Sequence, residues 1–138
     1  MSRFVLDCSV TMAWCFADES DPRALNALNS LATQEAIVPG HWPFEIANVL
    51  AGAERKKRIT AERIARFIDI LGRLSIVIDD QTATKAFGDI LTLARTHQLT
   101  AYDAAYLELA MRTGCPLASL DGPLNDTAAG LGVALFEG

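Results

Sequence analysis

The stretch FVLDCSVTMAWCF, residues 4–16, sets three apolar residues, Phe4-Val5-Leu6, before an aspartate, and then a helix-like run from Val10 to Phe16. A short apolar strand followed at once by a helix opens a βα unit, and the rest of the chain repeats that alternation. Ala36-Ile37-Val38, Ser75 to Ile78, Pro116 to Leu120 and Val133 to Phe136 read as further strands. Between them, Asp21-Pro22 supplies a cap and a first-turn proline for a helix to about Thr33, and Pro43 begins another that reaches about Lys57. Thr60 caps a helix with Ile64, Phe67, Ile68 and Leu71 on one face. Asp80 or Thr82 opens one that carries Ala86, Ile90, Leu93 and Ala94 inward, and Thr100 caps one that stops near Gly114. A short helix around Leu124 to Leu131 precedes the last strand. The expected fold is α/β, a three-layer α/β/α sandwich around a central parallel sheet.

At 138 residues the chain fits one domain, 1–138, and its 51% hydrophobic content is too high for a disordered segment. No apolar run approaches the roughly 20 residues that cross a bilayer, and Asp7 interrupts the N-terminus too early for a signal peptide. The three cysteines, Cys8, Cys15 and Cys115, form no CxxC pair, so reduced thiols in a cytoplasmic protein are expected. A net charge of −5 argues against holding nucleic acid by bulk electrostatics. The basic run Arg55-Lys56-Lys57-Arg58 reads either as a solvated helix end or as a set of phosphate contacts.

Two strands end at an aspartate, Asp7 and Asp121, and two helices carry an acid in their first turn, Glu45 and Asp103. In an open parallel sheet the C-terminal ends of strands and the N-terminal ends of the following helices share one rim, where ligands bind. Each acid has a local role too: Asp7 and Asp121 suit turns, Glu45 complements a helix dipole, and Thr100-Ala-Tyr-Asp103 is a variant capping box. Gathered in one crevice, though, they repel one another by on the order of 1 kcal/mol per pair at about 4 Å even in water, so the cluster calls for a cation. Oxygen donors suit Mg²⁺ or Mn²⁺, whereas zinc would want His or Cys. Such ions point to phosphodiester hydrolysis.

Neighbouring residues extend this site. Ser9 offers a hydroxyl to a ligand or caps the helix at Val10, and Asn48 shares a helical face with Glu45. Trp14, Trp42, Tyr102 and Tyr106 fall near the crevice, as core packing or as stacking surfaces for bases.

VLDCSV with Asp7 and Ser9, PFEIANVL with Glu45 and Asn48, LTAYDAAYLELA with Asp103 and Tyr106, and LASLDGPL with Asp121 resemble the four motifs of PIN-domain nucleases, in order along the chain. The similarity is to the VapC toxins of bacterial VapBC toxin–antitoxin modules. It implies an endoribonuclease dependent on Mg²⁺, with Mn²⁺ as a substitute, a homodimer, and a VapB-type antitoxin that inserts an arginine into the acidic site. It assigns Asp7 and Asp103 as the firmest metal ligands, Glu45 as the second acid and Asp121 as the fourth, with Asn125 and Asp126 able to share the role of Asp121. The segment Pro43 to Arg73 is the expected dimer interface.

Two other readings fit parts of the pattern. An aspartyl-phosphate phosphatase of the haloacid dehalogenase type would use Asp7 as nucleophile, but needs an acid where Ser9 stands and a late lysine that the sequence lacks. A non-catalytic PIN-like binding module would not require all four acids.

Overall fold

The computed structural model describes residues 2–137, and in it Arg3–Leu6 forms strand β1, with Phe4, Val5 and Leu6 fully buried. A strand covered on both faces is apolar at every position rather than at alternate ones, which is how this run reads. Glu35–Val38 (β2), Ile76–Ile78 (β3) and Leu117–Ala118 (β4) complete a parallel sheet in the order β3-β2-β1-β4. Val5 sits opposite Ile37 on one side and Leu117 on the other.

Cys8–Cys15 (α1) and Pro22–Ser30 (α2) link β1 to β2, and Trp42–Arg55 (α3) and Ala61–Arg73 (α4) link β2 to β3. Thr82–Lys85 (α5), a π turn at Ala86–Ile90, Leu91–His97 (α6) and Ala101–Thr113 (α7) lead back to β4, which Gly122–Gly130 (α8) follows. Parallel crossovers are right-handed, so the reversal of direction after β3 sends α5–α7 to the face opposite α1–α4 and makes three layers. The α7 helix is buried at every position from Ala104 to Ala110. Two of its alanines, Ala104 and Ala105, let it close on Ile90. Among the described residues, no helix is long and apolar enough to cross a membrane.

An ion network ties α7 to the loops beneath it. Arg112 donates from two nitrogens to Asp79, at 3.2 and 2.8 Å, and from Nε to Glu108 at 2.7 Å. Asp79 also accepts from the Thr82 hydroxyl at 2.9 Å, and that hydroxyl accepts the Gly40 N–H at 2.9 Å. The Arg112 guanidinium, aided by Thr82 and the Gln81 N–H, holds the Asp79 carboxyl below its ordinary range despite burial.

The structure departs from the sequence reading in several places. Residues 133–136 do not form a fifth strand; they meet β4 in one isolated parallel bridge, in which the Leu117 N–H donates to the Ala134 carbonyl and the Phe136 N–H to the Leu117 carbonyl, and Phe136 stacks on Phe4 at 4.1 Å. The fourth strand itself stops at Ala118, because the Ser119 carbonyl accepts from Asn125 Nδ2 and its hydroxyl turns to Asp7. The helix expected from Asp80 or Thr82 breaks at Gly88, whose φ of −101° and ψ of −108° no helix contains. The break leaves Phe87 94% exposed. Helix α1 begins at Cys8 with Asp7, not Ser9, as its cap. Both tryptophans are anchors rather than stacking surfaces: Trp14 Nε1 donates to the Ala24 carbonyl, and Trp42 Nε1 to Thr11 in the core.

Candidate active site

Strands β1 and β4 are neighbours whose chains leave toward opposite faces of the sheet, and an open α/β sheet has its crevice at such a switch point. Asp7 follows β1 directly and Asp121 stands three residues past β4, so both acids lie at this crevice. Glu45 joins from the first turn of α3, and Asp103 from the first turn of α7.

Each carboxylate is held by local chemistry. Asp7 Oδ1 accepts the Val10 N–H at 3.2 Å and the Ser9 hydroxyl, while Oδ2 accepts the Ser119 hydroxyl. Ser9 in turn accepts the Leu120 N–H at 2.9 Å, and Ser119 accepts the Asp121 N–H at 3.0 Å. The two serines thus fasten the end of β1 to the loop after β4. Sequence reasoning missed Ser119, although its signal is there: Asp7-Cys8-Ser9 is mirrored by Ser119-Leu120-Asp121. Asp121 Oδ1 caps α8 through the Leu124 N–H at 3.0 Å, and the Thr100 hydroxyl accepts the Asp103 N–H at 3.1 Å. Glu45 Oε1 accepts the Tyr106 hydroxyl, and His41 Nε2 lies 2.9 Å from the same oxygen. That second contact is a matter of charge when His41 is protonated, because the nitrogen makes no aligned hydrogen bond.

Burial dominates the electrostatics. Asp7 is 4% exposed, and desolvation pushes its carboxyl up to about 6 even though Ser119, Ser9 and the Val10 N–H pull it down. Asp103 is raised by burial first, then by the charges of Asp121 and Glu45, with His41 and Thr100 opposing. Burial works on Glu45 too, but the His41 imidazole and the Tyr106 hydroxyl outweigh it and hold this acid below its usual range. Cys8, between Asp7 and Ser9, is pushed up to about 12 by burial and by the charges of Glu45 and Asp7, so it stays a neutral thiol at physiological pH.

This donor set suits a hard divalent cation. All four groups offer oxygen, Asp103 is raised in part by Asp121 and Glu45, and among the described residues no lysine or arginine forms an ion pair with any of them. The cage is not closed, however. Among the described residues no three Asp, Glu, His or Cys groups stand close enough to grip an ion as their side chains lie. An ion would draw the carboxylates inward from their serine and tyrosine partners.

Other residues singled out by the sequence are not brought into this cluster. Asn48 is exposed on α3 and, among the described residues, hydrogen-bonds to none of the acids. Asp126 is exposed on α8, and Asn125 uses its amide on the Ser119 carbonyl at 2.9 Å while its Oδ1 stays buried without a partner. Asn125 therefore braces the loop that carries Asp121. The basic run lies at the far end of α3, ten residues and about 15 Å along the axis from Glu45 to Arg55. Arg58 there is spent on Asp18 and Glu19 and on the Phe16 ring. Of the aromatics, Tyr106 is buried against Glu45, which yields a direct expectation: Tyr106→Phe keeps the packing but frees Glu45 Oε1. For any reaction that the acids support, kcat should then fall by about 10-fold at unchanged KM, a loss that steady-state kinetics reads.

The chain matches the PIN domain model over residues 4–130. It is 26% identical over 124 residues to a protein named ribonuclease VapC3 of Pyrobaculum aerophilum, covering 90% of this chain and 93% of the relative. The fold resembles the crystal structure of PAE2754 from Pyrobaculum aerophilum, at a TM-score of 0.64 and 20% identity, over 91% of this chain and 85% of the other. It also resembles Mycobacterium tuberculosis VapC20, described as a sarcin-ricin loop cleaving toxin, at 0.61 and 15%, over 90% and 94% of the two chains. With the match to the domain model spanning nearly its whole length and four acids at the switch point of the sheet, this chain belongs to the PIN-domain family.

Proposed function

We propose that this protein is a metal-dependent endoribonuclease of the VapC type, the toxin of a toxin–antitoxin pair. The observation that carries the reading is the placing of Asp7, Glu45, Asp103 and Asp121 on one rim of the sheet, near enough that Asp121 and Glu45 raise Asp103 and Asp121 raises Asp7, with no arginine or lysine paired to them among the described residues. The name of one similar protein, a ribonuclease, supports RNA as the substrate, and that of another, a sarcin-ricin loop cleaving toxin, supports the role of toxin.

Asp7 and Asp103, with Glu45 and Asp121, would hold Mg²⁺ or Mn²⁺. Such an ion acidifies a water for attack on phosphorus and neutralises charge on the phosphate. The protein's own part is orientation. Ser9 and Ser119 fix both oxygens of Asp7, and Tyr106 and His41 keep Glu45 ionised and aimed from one side. Fastening β1 to the β4 loop through the serines holds Asp7 and Asp121 in register, so the attacking and leaving groups meet a fixed frame.

The acidic crevice and net charge of −5 suit a basic protein inhibitor, whose guanidinium could replace the ion's charge. A homodimer would use α3 and α4, where Ile68, half exposed, lines an apolar groove with Trp42, Ile46, Leu50 and Leu71. The test is incubation of the purified protein with total cellular RNA in Mg²⁺ or Mn²⁺ and in EDTA, beside Asp103→Asn. Discrete fragments should form with metal, vanish in EDTA, and vanish in the variant. A folded, metal-loaded, inhibitor-free protein that cuts no RNA would overturn the reading.

A further inference from the structure

Tyr102 is an exposed aromatic at the edge of the site that the metal cluster does not use. It directly precedes Asp103 at the start of α7, and it is 61% exposed, whereas Tyr106, one turn further on, is 1% exposed. Its ring centroid lies 5.4 Å from that of His41, with the planes tilted by 50°, and His41 Nε2 is 2.9 Å from Glu45. The His41 ring is itself fixed edge-on against Tyr106 at 5.1 Å. Two carboxylates of the cluster are thus bordered by an aromatic wall whose inner members are packed and whose outer member is open to solvent.

The charge distribution gives this wall a task. An RNA strand reaching the acids must approach a protein of net charge −5, and the arginines in ion pairs, among the described residues, are on Asp18, Asp21, Asp69, Asp79 and their neighbours rather than at the crevice. A net negative charge weakens the electrostatic attraction to the phosphate backbone that is the usual source of affinity for nucleic acid. Stacking of a base on an aromatic ring contributes about 1–3 kcal/mol without any charge, because every base has a π-face. A tyrosine with one side on an imidazole and most of its surface in water is a preformed platform for that contact.

We infer that Tyr102, backed by His41, is the stacking platform for a nucleobase flanking the scissile phosphate, and so a specificity-determining residue. The inference rests on the nuclease reading given above. The platform takes a base that is already unstacked or easily freed, since a base inside a duplex has no face to offer.

The experiment uses a short synthetic RNA spanning a position that the wild type cuts in total RNA, and the same RNA with an abasic ribose at each flanking nucleotide in turn. Tyr102→Ala should raise KM about 10-fold with kcat within about twofold, while Tyr102→Phe and Tyr102→Trp stay near wild type. One abasic position should weaken the wild type by a similar factor and leave Tyr102→Ala unmoved. Tyr102 is exposed, so the variants should unfold at the wild-type temperature. An unmoved KM in Tyr102→Ala, or equal sensitivity of both proteins to every abasic position, overturns the inference while the nuclease reading stands. Absence of any cutting by the wild type overturns the nuclease reading and this one with it.

Discussion

Asp7→Asn should abolish cleavage and at the same time make the metal-free protein harder to unfold at neutral pH. The loss of activity follows from removing a carboxylate at the centre of the cluster; even outer-shell partners of a metal are worth about 10–100-fold, so the decrease should exceed 100-fold. The gain in stability follows from burial. The Asp7 carboxyl titrates near 3.8 in the unfolded chain and at about 6 in the folded one. Between those values the native state holds a proton that the unfolded state has released. Stability from this group is therefore full below pH 3.8 and lost as pH rises through about 6. At 1.36 kcal/mol per pH unit the displacement corresponds to about 3 kcal/mol at most, and asparagine recovers part of it because it accepts only from one oxygen. Thermal unfolding in EDTA at pH 7.5 should show Tm higher by about 3–10 °C in the variant. Added Mg²⁺ should stabilise the wild type and not the variant, and its effect on the wild type should fade below pH 6 as the carboxyl regains its proton. A variant less stable than wild type in EDTA would show that the serine hydroxyls outweigh the burial of the charge.

Arg112→Ala should be the most damaging substitution away from the crevice. The guanidinium bridges Glu108 and Asp79, whose side chains are 4% and 7% exposed. Removing it leaves two buried carboxylates facing each other without a cation, which costs about 3–5 kcal/mol, or on the order of 10 °C in Tm. The acid side of the stability curve should move as well. Asp79 is held below its ordinary range by Arg112, so its contribution is present at neutral pH and lost as pH falls through that depressed value. Without the arginine the loss begins at higher pH. Arg112→Lys keeps a charge but not the fork that serves both acids, and should fall between. Cleavage by whatever fraction stays folded should survive, since Arg112 lies nine residues beyond Asp103 on α7. Urea unfolding of the three proteins at pH 5 and pH 7.5 measures all of this, and equal midpoints for wild type and Arg112→Ala would refute it.

The strands and most helices were legible because their causes are local. An unbroken apolar run such as Phe4-Val5-Leu6 has few alternatives to a buried strand, and Asp21-Pro22 or Thr60 starts a helix with its own side chain. The four acids were legible for a related reason: each sits where a strand ends or a helix begins, and topology alone carries such positions to one rim. What escaped depends on pairing over distance. Ser119 faces Asp7 across 112 residues, and the only local trace of it is the mirrored order of Asp7-Cys8-Ser9 and Ser119-Leu120-Asp121, which no propensity or periodicity brings out. The fate of residues 133–136 turned on Ala118 being the last residue of β4, which Ser119 and Asn125 decide. The break at Gly88 reflects packing of Ile90 against Ala104 and Ala105, again a contact between segments.

The bond between Asp7 and Ser119 also sets when the carboxylate cluster first exists. In chain order Asp7 comes first, then Glu45, then Asp103; Ser9 and the Val10 N–H hold one oxygen of Asp7 locally, but the other gains its partner only from Ser119, 112 residues on. Strand β4 must dock beside β1 before Ser119 can reach the carboxylate, and pairing between such distant segments is the slow part of assembling a parallel sheet. The frame that joins Asp7 to the loop carrying Asp121 is therefore among the last parts of the fold to close, and the cluster is a product of the whole sheet rather than of any one segment.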